Sequence, residues 1–286
     1  MGNSYKLSAG ELKQRCLSSL REGDVEGFDK YRALMVPKKI YKFISFKGLS
    51  DKDLGERLQT IRDQRVWCNS ASDQNDSFEL KGFCSDVSKL EQSKTTQLLS
   101  KKIEGFIRDL PGRVAICSFS SEDYSNLKMW SDYGSDGICV EYEVVDPSRL
   151  FPVFYEPSRI DFSKIIGYMA ATAQAAYREK DETAIREMNV YYTLCAQVLN
   201  IKRDIWSSEK EIRAIVPCDG KGCCIECSKV GISALNIYLS PKYLSPKHTK
   251  SYEQSVCDVA REAHVGCYSL NASQASYLLN PVRIVG

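Results

Sequence analysis

The segment Trp206-Ser207-Ser208-Glu209-Lys210-Glu211-Ile212-Arg213 places two carboxylates and a guanidinium at a spacing of two. Side chains at i, i+2 and i+4 of a strand share a face, so Glu209, Glu211 and Arg213 line up while Ile212, Ala214 and Val216 point the other way. A charged strand face usually meets water, and one reading is a solvated edge strand. The other is a carboxylate pair on the wall of a cleft. There one carboxylate stabilises positive charge developing at a reacting carbon, and its neighbour orients or deprotonates the incoming nucleophile.

Other reactive groups are sparse. Only two histidines are present, His248 and His264, both in a predicted C-terminal helical region, so Ser-His-Asp triads and His-Glu-x-x-His metal sites have almost no material. Ser118 and Ser120 follow Cys117 at the end of a predicted strand, where their hydroxyls either face a cleft or finish the strand in a polar way. Trp130 and Tyr133 flank Gly134 and Gly137 and read as core aromatics or as a stacking wall. Asn75 and Asp76 lie in a polar loop, where such residues mostly make turns. Cys218, Cys223, Cys224 and Cys227 fall within ten residues of one another, but only the last two have Cys-x-x-Cys spacing and no second pair matches it. Asp219-Gly220-Lys221-Gly222 reads more simply as a hairpin turn after a strand over 211–217, and no metal is expected.

The elements that must position these groups follow from periodicity. Leu12, Cys16, Leu20, Val25 and Phe28 predict a helical region over 10–35, ended by Pro37. The aromatic and β-branched run 40–46, which holds Tyr41 and Lys42, predicts a strand, and 51–63 an amphipathic helix opened by Ser50 or Asp51. A short strand over 66–69 leads into a polar loop over 70–77, and 87–110 is helical. Strands are expected at 113–118, 137–144 and 153–155, with a helical turn around 128–133. In the second of these, Ile138, Val140, Tyr142 and Val144 alternate with Cys139, Glu141 and Glu143, a half-buried pattern. A long helical region over 162–202, broken near Asp181-Glu182-Thr183, precedes the strand at 209. The tail predicts a strand over 234–239, a helix from near Pro246, and strands over 266–270 and 282–285.

That order lacks the regular alternation of a doubly wound fold, and no GxGxxG or GxxxxGK[ST] loop occurs. The expectation is an α+β single domain with a mixed, mainly antiparallel central sheet. Residues 1–37 form an N-terminal helical extension that caps it, and 38–286 form a catalytic-like domain with a helical insertion at about 162–203. Neither internal repeats nor a Pro-, Gly- or Ser-rich linker divides the chain.

Composition narrows the function class. The 286 residues are 43% hydrophobic and 27% charged, enough to bury a core. With 39 basic and 37 acidic residues the net charge is +2, which excludes the broad positive field of a general nucleic-acid binder. No apolar run approaches the roughly 18 to 20 residues of a spanning helix, and the polar start lacks the core of a secretory signal, so no membrane association and a cytoplasmic location are expected. Most of the twelve cysteines then read as small buried hydrophobes in a reducing compartment.

Taken in order, Tyr41-Lys42-Phe43, Val66-Trp67-Cys68-Asn69-Ser70 running into Asn75-Asp76-Ser77-Phe78-Glu79, Cys117-Ser118-Phe119-Ser120, Met129-Trp130-Ser131-Asp132-Tyr133 with Gly137, and Trp206 with Glu209-Lys210-Glu211-Ile212-Arg213 resemble the bacterial "domain of unknown function 2971" proteins. The resemblance covers roughly residues 40 to 240. Ser77 stands where those proteins carry proline. More distantly, a basic residue on an early strand, a Ser-x-Ser strand and a Glu-x-Glu strand are similar to the arginine-serine-glutamate class of ADP-ribosyltransferases.

That resemblance implies NAD as substrate, with no metal, and cleavage of its nicotinamide glycosidic bond. Glu211 becomes the catalytic glutamate, Glu209 its partner, and Ser118 and Ser120 the structural serines. Lys42, Tyr41, Trp130, Tyr133, Arg213 and Asn75 form the expected cofactor-binding set, with Lys42 at the nicotinamide and phosphate end. Lys42 replaces the arginine of that class by a point charge that cannot make a bidentate fork. The acceptor is an unidentified macromolecule, protein or nucleic acid, and a toxin or phage-defence role is what such families often have. Glu211→Gln is expected to abolish activity without unfolding the chain. Two rival readings remain. One is a binding module in which Lys42, Arg113 and Arg213 converge on a phosphate or nucleic acid. The other is a metal-dependent nuclease that recruits Asp76, Glu79, Glu209 and Glu211.

Overall fold

A computed structural model of the chain describes residues 7–285 other than 23, 72–79, 181–194, 196, 198, 220, 242–248, 274–275 and 277. The predicted first helical region is two helices, α1 (Ala9–Glu22) and α2 (Val25–Met35). The second starts afresh because the Asp24 carboxylate accepts the Gly27 N–H at 3.0 Å, an N-cap that ends one helix and opens another. Strand β1 (Lys39–Ile44) leads to α3 (Asp51–Arg62), whose start is fixed by a reciprocal capping box between Ser50 and Asp53. Next come β2 (Arg65–Ser70), β3 (Phe83–Cys84) and α4 (Lys94–Asp109). The helix predicted over 87–110 is shortened because Ser93 caps α4 and leaves only a 3-10 turn at Val87–Lys89 before it.

After β4 (Val114–Ser120), the short α5 (Leu127–Met129) runs into a π-turn over Trp130–Gly134. The strands β5 (Ile138–Val144), β6 (Leu150–Pro152), β7 (Phe154–Glu156) and β8 (Ile160–Asp161) follow, then α6 (Ser163–Glu179). Helix does not continue to 202, because Ile201–Arg203 is strand β9, paired in parallel with β7. The expected break at Asp181-Glu182-Thr183 lies outside the described residues. A 3-10 turn (Asp204–Glu209) delivers the chain into β10 (Glu211–Pro217), followed by β11 (Cys223–Glu226) and β12 (Ile232–Leu239). Helix α7 (Thr249–Glu262), β13 (Gly266–Ala272) and β14 (Leu279–Val285) complete the fold. Pro246 and His248, placed at the start of the last predicted helix, lie outside the described residues. No helix among those described is long and apolar enough to cross a membrane.

The chain is α+β. Its main sheet runs β11-β2-β4-β1-β5-β12-β13-β14, with β10 added beside β4 and β6 beside β10. All pairings in it are antiparallel except β12 with β13. Helices α3 and α7 cover one face through Leu58, Ile61, Tyr252, Val256 and Ala260, which share one apolar cluster with Ala115, Cys117, Phe119, Ile212 and Ala214 of the sheet. Much of the other face is covered by α1, α2, α4 and α6 through Cys16, Leu17, Phe28, Ile107, Ile165 and Ile166. A third apolar group, which includes Tyr41, Trp130 and Tyr238, fills the same face farther along the sheet.

Three sequence expectations change here. The turn at 218–222 is not a hairpin: β10 pairs with β4, whereas β11 pairs with β2 on the far edge of β4, with Cys223 opposite Cys68. Strand β10 is no solvated edge, since β4 and β6 flank it and both of its faces are buried. Nor is β5 half-buried. Cys139 and Glu141 are enclosed as fully as Val140, and the Glu141 carboxylate accepts the Tyr238 hydroxyl at 2.5 Å and pairs with Lys39.

Candidate active site

The pairing of β4 creates the cleft. One edge is held by β10 along its whole length, from Glu211 opposite Ser120 to Pro217 opposite Val114. The other edge is shared. There β2 pairs only at Ala115 and Ile116, and β1 only at Ser120. Between them β1 and β2 diverge like a fork, and Lys42 fills the gap by donating from Nζ to the Ser118 carbonyl at 3.1 Å. An ammonium thus satisfies a backbone acceptor that a strand would otherwise take. At the apex of the fork lies a cavity of about 480 Å³, whose walls include Tyr41, Lys42, Ser118, Ser120, Tyr133, Lys202, Trp206, Glu209 and Glu211. A second cavity of about 730 Å³ opens between β1, α3 and β2, and Lys42, Phe43, Asn69, Asp132 and Tyr133 line both.

Glu209 and Glu211 reach the apex by a route that simple alternation does not describe. Glu209 ends the 3-10 turn, Lys210 takes the left-handed conformation at φ +42°, and only then does β10 begin. Ser120 pins this kink: its Oγ donates to the Glu209 carbonyl at 2.8 Å and accepts the Glu122 N–H at 3.0 Å. The Ser121 N–H adds a bond to the Lys210 carbonyl at 3.0 Å.

The two carboxylates share two cations. Arg213 grips Glu211 with both prongs, Nε to Oε1 and Nη2 to Oε2, each at 2.8 Å, and donates Nη1 to the Leu199 carbonyl at 3.1 Å. Lys202 donates to Glu209 Oε2 at 2.8 Å, stands 3.5 Å from Glu211 Oε2, and lies 5.0 Å from the centre of the Trp206 ring. The Tyr133 hydroxyl donates to Glu209 Oε1, and the Tyr155 hydroxyl accepts the Glu211 N–H at 2.9 Å. Burial works to raise the Glu211 carboxyl, but the Arg213 guanidinium, Lys202 and the Ser118 hydroxyl override it and hold the group down to about 2. Burial, and then the bond to Glu209, push the Tyr133 phenol up, so it remains a donor at neutral pH.

The expected residues therefore divide. Tyr41, Lys42, Ser118, Ser120, Tyr133, Glu209 and Glu211 converge on one cavity. Trp130 does not line it: the indole is fully enclosed, donates to the Tyr124 carbonyl at 2.7 Å and meets Phe43 edge-on, so it is a core aromatic. Arg213 stands behind Glu211, 1% exposed, and is not among the lining residues either. Asn75, with Asp76 and Glu79, lies outside the described residues. Lys202 and Tyr155 went unnoticed in the sequence because the first fell within a predicted helical run and the second carried no spacing signal. Trp206 was legible only as part of a motif.

With no histidine or cysteine among the lining residues, the apex offers carboxylates, hydroxyls and two ammonium groups, those of Lys42 and Lys202. Glu211, at about 2, is a poor proton acceptor but a permanent negative charge. Glu209 is the carboxylate bonded to groups that reach the cavity from outside β10, Tyr133 and Lys202. Among the described residues no group of three or more His, Cys, Asp or Glu side chains is arranged to hold a metal ion. Comparison of the chain with models of protein families, with curated proteins and with solved structures gave no match.

Proposed function

We propose that the chain is an NAD-utilising enzyme of the ADP-ribosyltransferase kind, which cleaves the nicotinamide glycosidic bond at the apex of the fork. The observation that carries this reading is the convergence of Glu209 and Glu211 on a cavity walled by Ser118, Ser120 and Tyr133. In the reaction the C–N bond to the ribose breaks, its electron pair leaves with the pyridinium nitrogen, and neutral nicotinamide departs. Positive charge then develops on the ribosyl ring, where a nearby carboxylate is stabilising. Water or an acceptor nucleophile bonds to the anomeric carbon and gives up a proton. In this reading Glu209, whose oxygens also accept from Tyr133 and Lys202, hydrogen-bonds to the ribose or the nucleophile, while Glu211 with Arg213 fixes the strand that carries them.

One observation favours a second reading, in which the groove binds its ligand and breaks no bond: Arg213 occupies both Glu211 oxygens. Free nicotinamide, measured after incubating the purified protein with NAD and with cell lysate as acceptor, separates the two. Glu209→Gln is the diagnostic variant, because it keeps the shape of the side chain while Glu211 still faces Lys202. Release by the wild type and a loss of about a hundredfold to a thousandfold in Glu209→Gln is the expected result. Absence of release from the wild type, or equal release from the variant, rejects the cleavage reading.

A further inference from the structure

The second cavity has chemistry of its own that the carboxylate site does not use. Its walls carry Lys47, Arg57 and Arg65 together with the indole of Trp67. The acids on the same walls are engaged. Asp53 is hydrogen-bonded to Ser50 in the cap of α3 and held below the usual carboxylate range by those bonds and by the charge of Arg57, whereas Glu56 pairs with Lys52 at 3.8 Å and Asp132 with Lys128, two lysines outside these walls. Among the described residues neither Lys47 nor Arg57 has an ion-pair partner. Arg65 uses one nitrogen on the Cys224 carbonyl at 2.9 Å and keeps the rest of its fork. With Lys42 the walls carry four cations against three acids, two of which are already paired with lysines outside them, so the cavity is locally cationic on a chain that is nearly neutral.

Trp67 is the second half of the argument. It sits on a strand yet leaves 49% of its surface exposed, where a large apolar ring ordinarily turns inward. Its orientation is fixed. Nε1 donates to Asn69 Oδ1 at 2.9 Å, and the backbone of Gly222 lies so close beside the ring that a Cβ there would stand 2.6 Å from it. A preset exposed indole with cations on the same walls that no ion pair among the described residues holds is what a stacked base and its phosphate need.

We propose that the cavity between β1, α3 and β2 is a binding site for a nucleoside 5′-phosphate, with the base stacked on Trp67 and the phosphate held by Lys47, Arg57 and Arg65. This rests on the geometry of the cavity and not on bond cleavage at the apex. The ligand chemistry is common to the mononucleotide half of a dinucleotide and to one residue of a single-stranded nucleic acid.

Calorimetric titration of the full chain with AMP, adenosine and inorganic phosphate tests it, with Trp67→Leu and Arg57→Gln as variants at exposed positions. AMP is expected to bind saturably, adenosine and phosphate at least about tenfold more weakly, and Trp67→Leu to weaken AMP by roughly fivefold to a hundredfold. No saturable AMP binding by the wild type, or unchanged AMP affinity in Trp67→Leu with a native circular dichroism spectrum, overturns the proposal. Competition separates the sources: displacement of AMP by NAD assigns the dinucleotide, and displacement by a short single-stranded oligonucleotide but not by NAD assigns the nucleic acid. Nicotinamide release in the same preparations keeps the two readings apart. AMP binding without release leaves this site standing and removes the cleavage reading, whereas release without AMP binding does the reverse.

Discussion

Arg213 changes what a substitution at Glu211 measures. The guanidinium is 1% exposed and grips both Glu211 oxygens, so Glu211→Gln takes that carboxylate's charge away from a buried cation. Breaking one side of a buried pair typically costs about 3 to 5 kcal/mol. The expectation of a silent, purely catalytic variant is therefore replaced by one of a destabilised protein, and Glu209→Gln carries the activity test. The pH dependence has a definite sign. Glu211 is held at about 2 when folded against 4.5 for an unperturbed glutamate, so its stabilisation is complete above about 4.5 and is lost as the pH falls toward 2. Urea midpoints of the wild type and Glu211→Gln should differ most at neutral pH. The gap should narrow by roughly 2 kcal/mol at pH 3. A gap that does not change with pH would contradict the depressed value.

At the scale of elements, the cleft exists because β1 and β2 meet the same edge of β4 at different places and part between them. What holds β1 in its branch is its full register with β5, from Lys39 opposite Glu143 to Ile44 opposite Ile138. Gly137 begins that ladder so tightly that a Cβ would overlap the Ile44 carbonyl oxygen. Gly137→Ala must push the start of β5 off β1. The expected outcome is a loss of at least about 2 kcal/mol in denaturant unfolding and a fall in ligand affinity in the groove. Unchanged stability would mean that the two strands part more freely than their register suggests. Lys42 serves the same architecture from the other side, since its bond to the Ser118 carbonyl closes the part of β4 left bare by the fork.

At the scale of the molecule, the N-terminal extension is a working part of one core layer. Cys16, Leu17, Val25 and Phe28 are buried with Ile107, Val114, Ile116 and Phe162. Arg32, fully buried, ties α2 to the turn before β6 and to the start of that strand by donating to the carbonyls of Ser148, at 2.7 Å, and Leu150, while its guanidinium lies 4.4 Å from the centre of the Phe151 ring. Arg32→Ala strips two buried acceptors of a charged donor, an expected loss of about 2 to 4 kcal/mol. Thermal unfolding followed by circular dichroism measures it. A variant as stable as the wild type would show that the extension is held by its apolar contacts alone.

Local rules carried much of this fold. An N-cap at Ser50 or Asp51 marked α3, the aromatic and β-branched run marked β1, and Pro37 closed α2, because each is decided within a few residues. The spacing of Glu211 and Arg213 likewise brought their side chains together, whereas Glu209 joins them through the left-handed kink at Lys210. Which of them faces a cavity was settled by packing: Arg213 is withdrawn behind Glu211, Trp130 is enclosed in the core, and Lys202, arriving from β9, completes the charge balance. The sequence by itself determined the α+β class and the chemical types available. Only the tertiary structure decided the fork, the pairing of β11 with β2 and the partners of each charge. Strand order and ion pairing depend on segments far apart in the chain, and no local period records them.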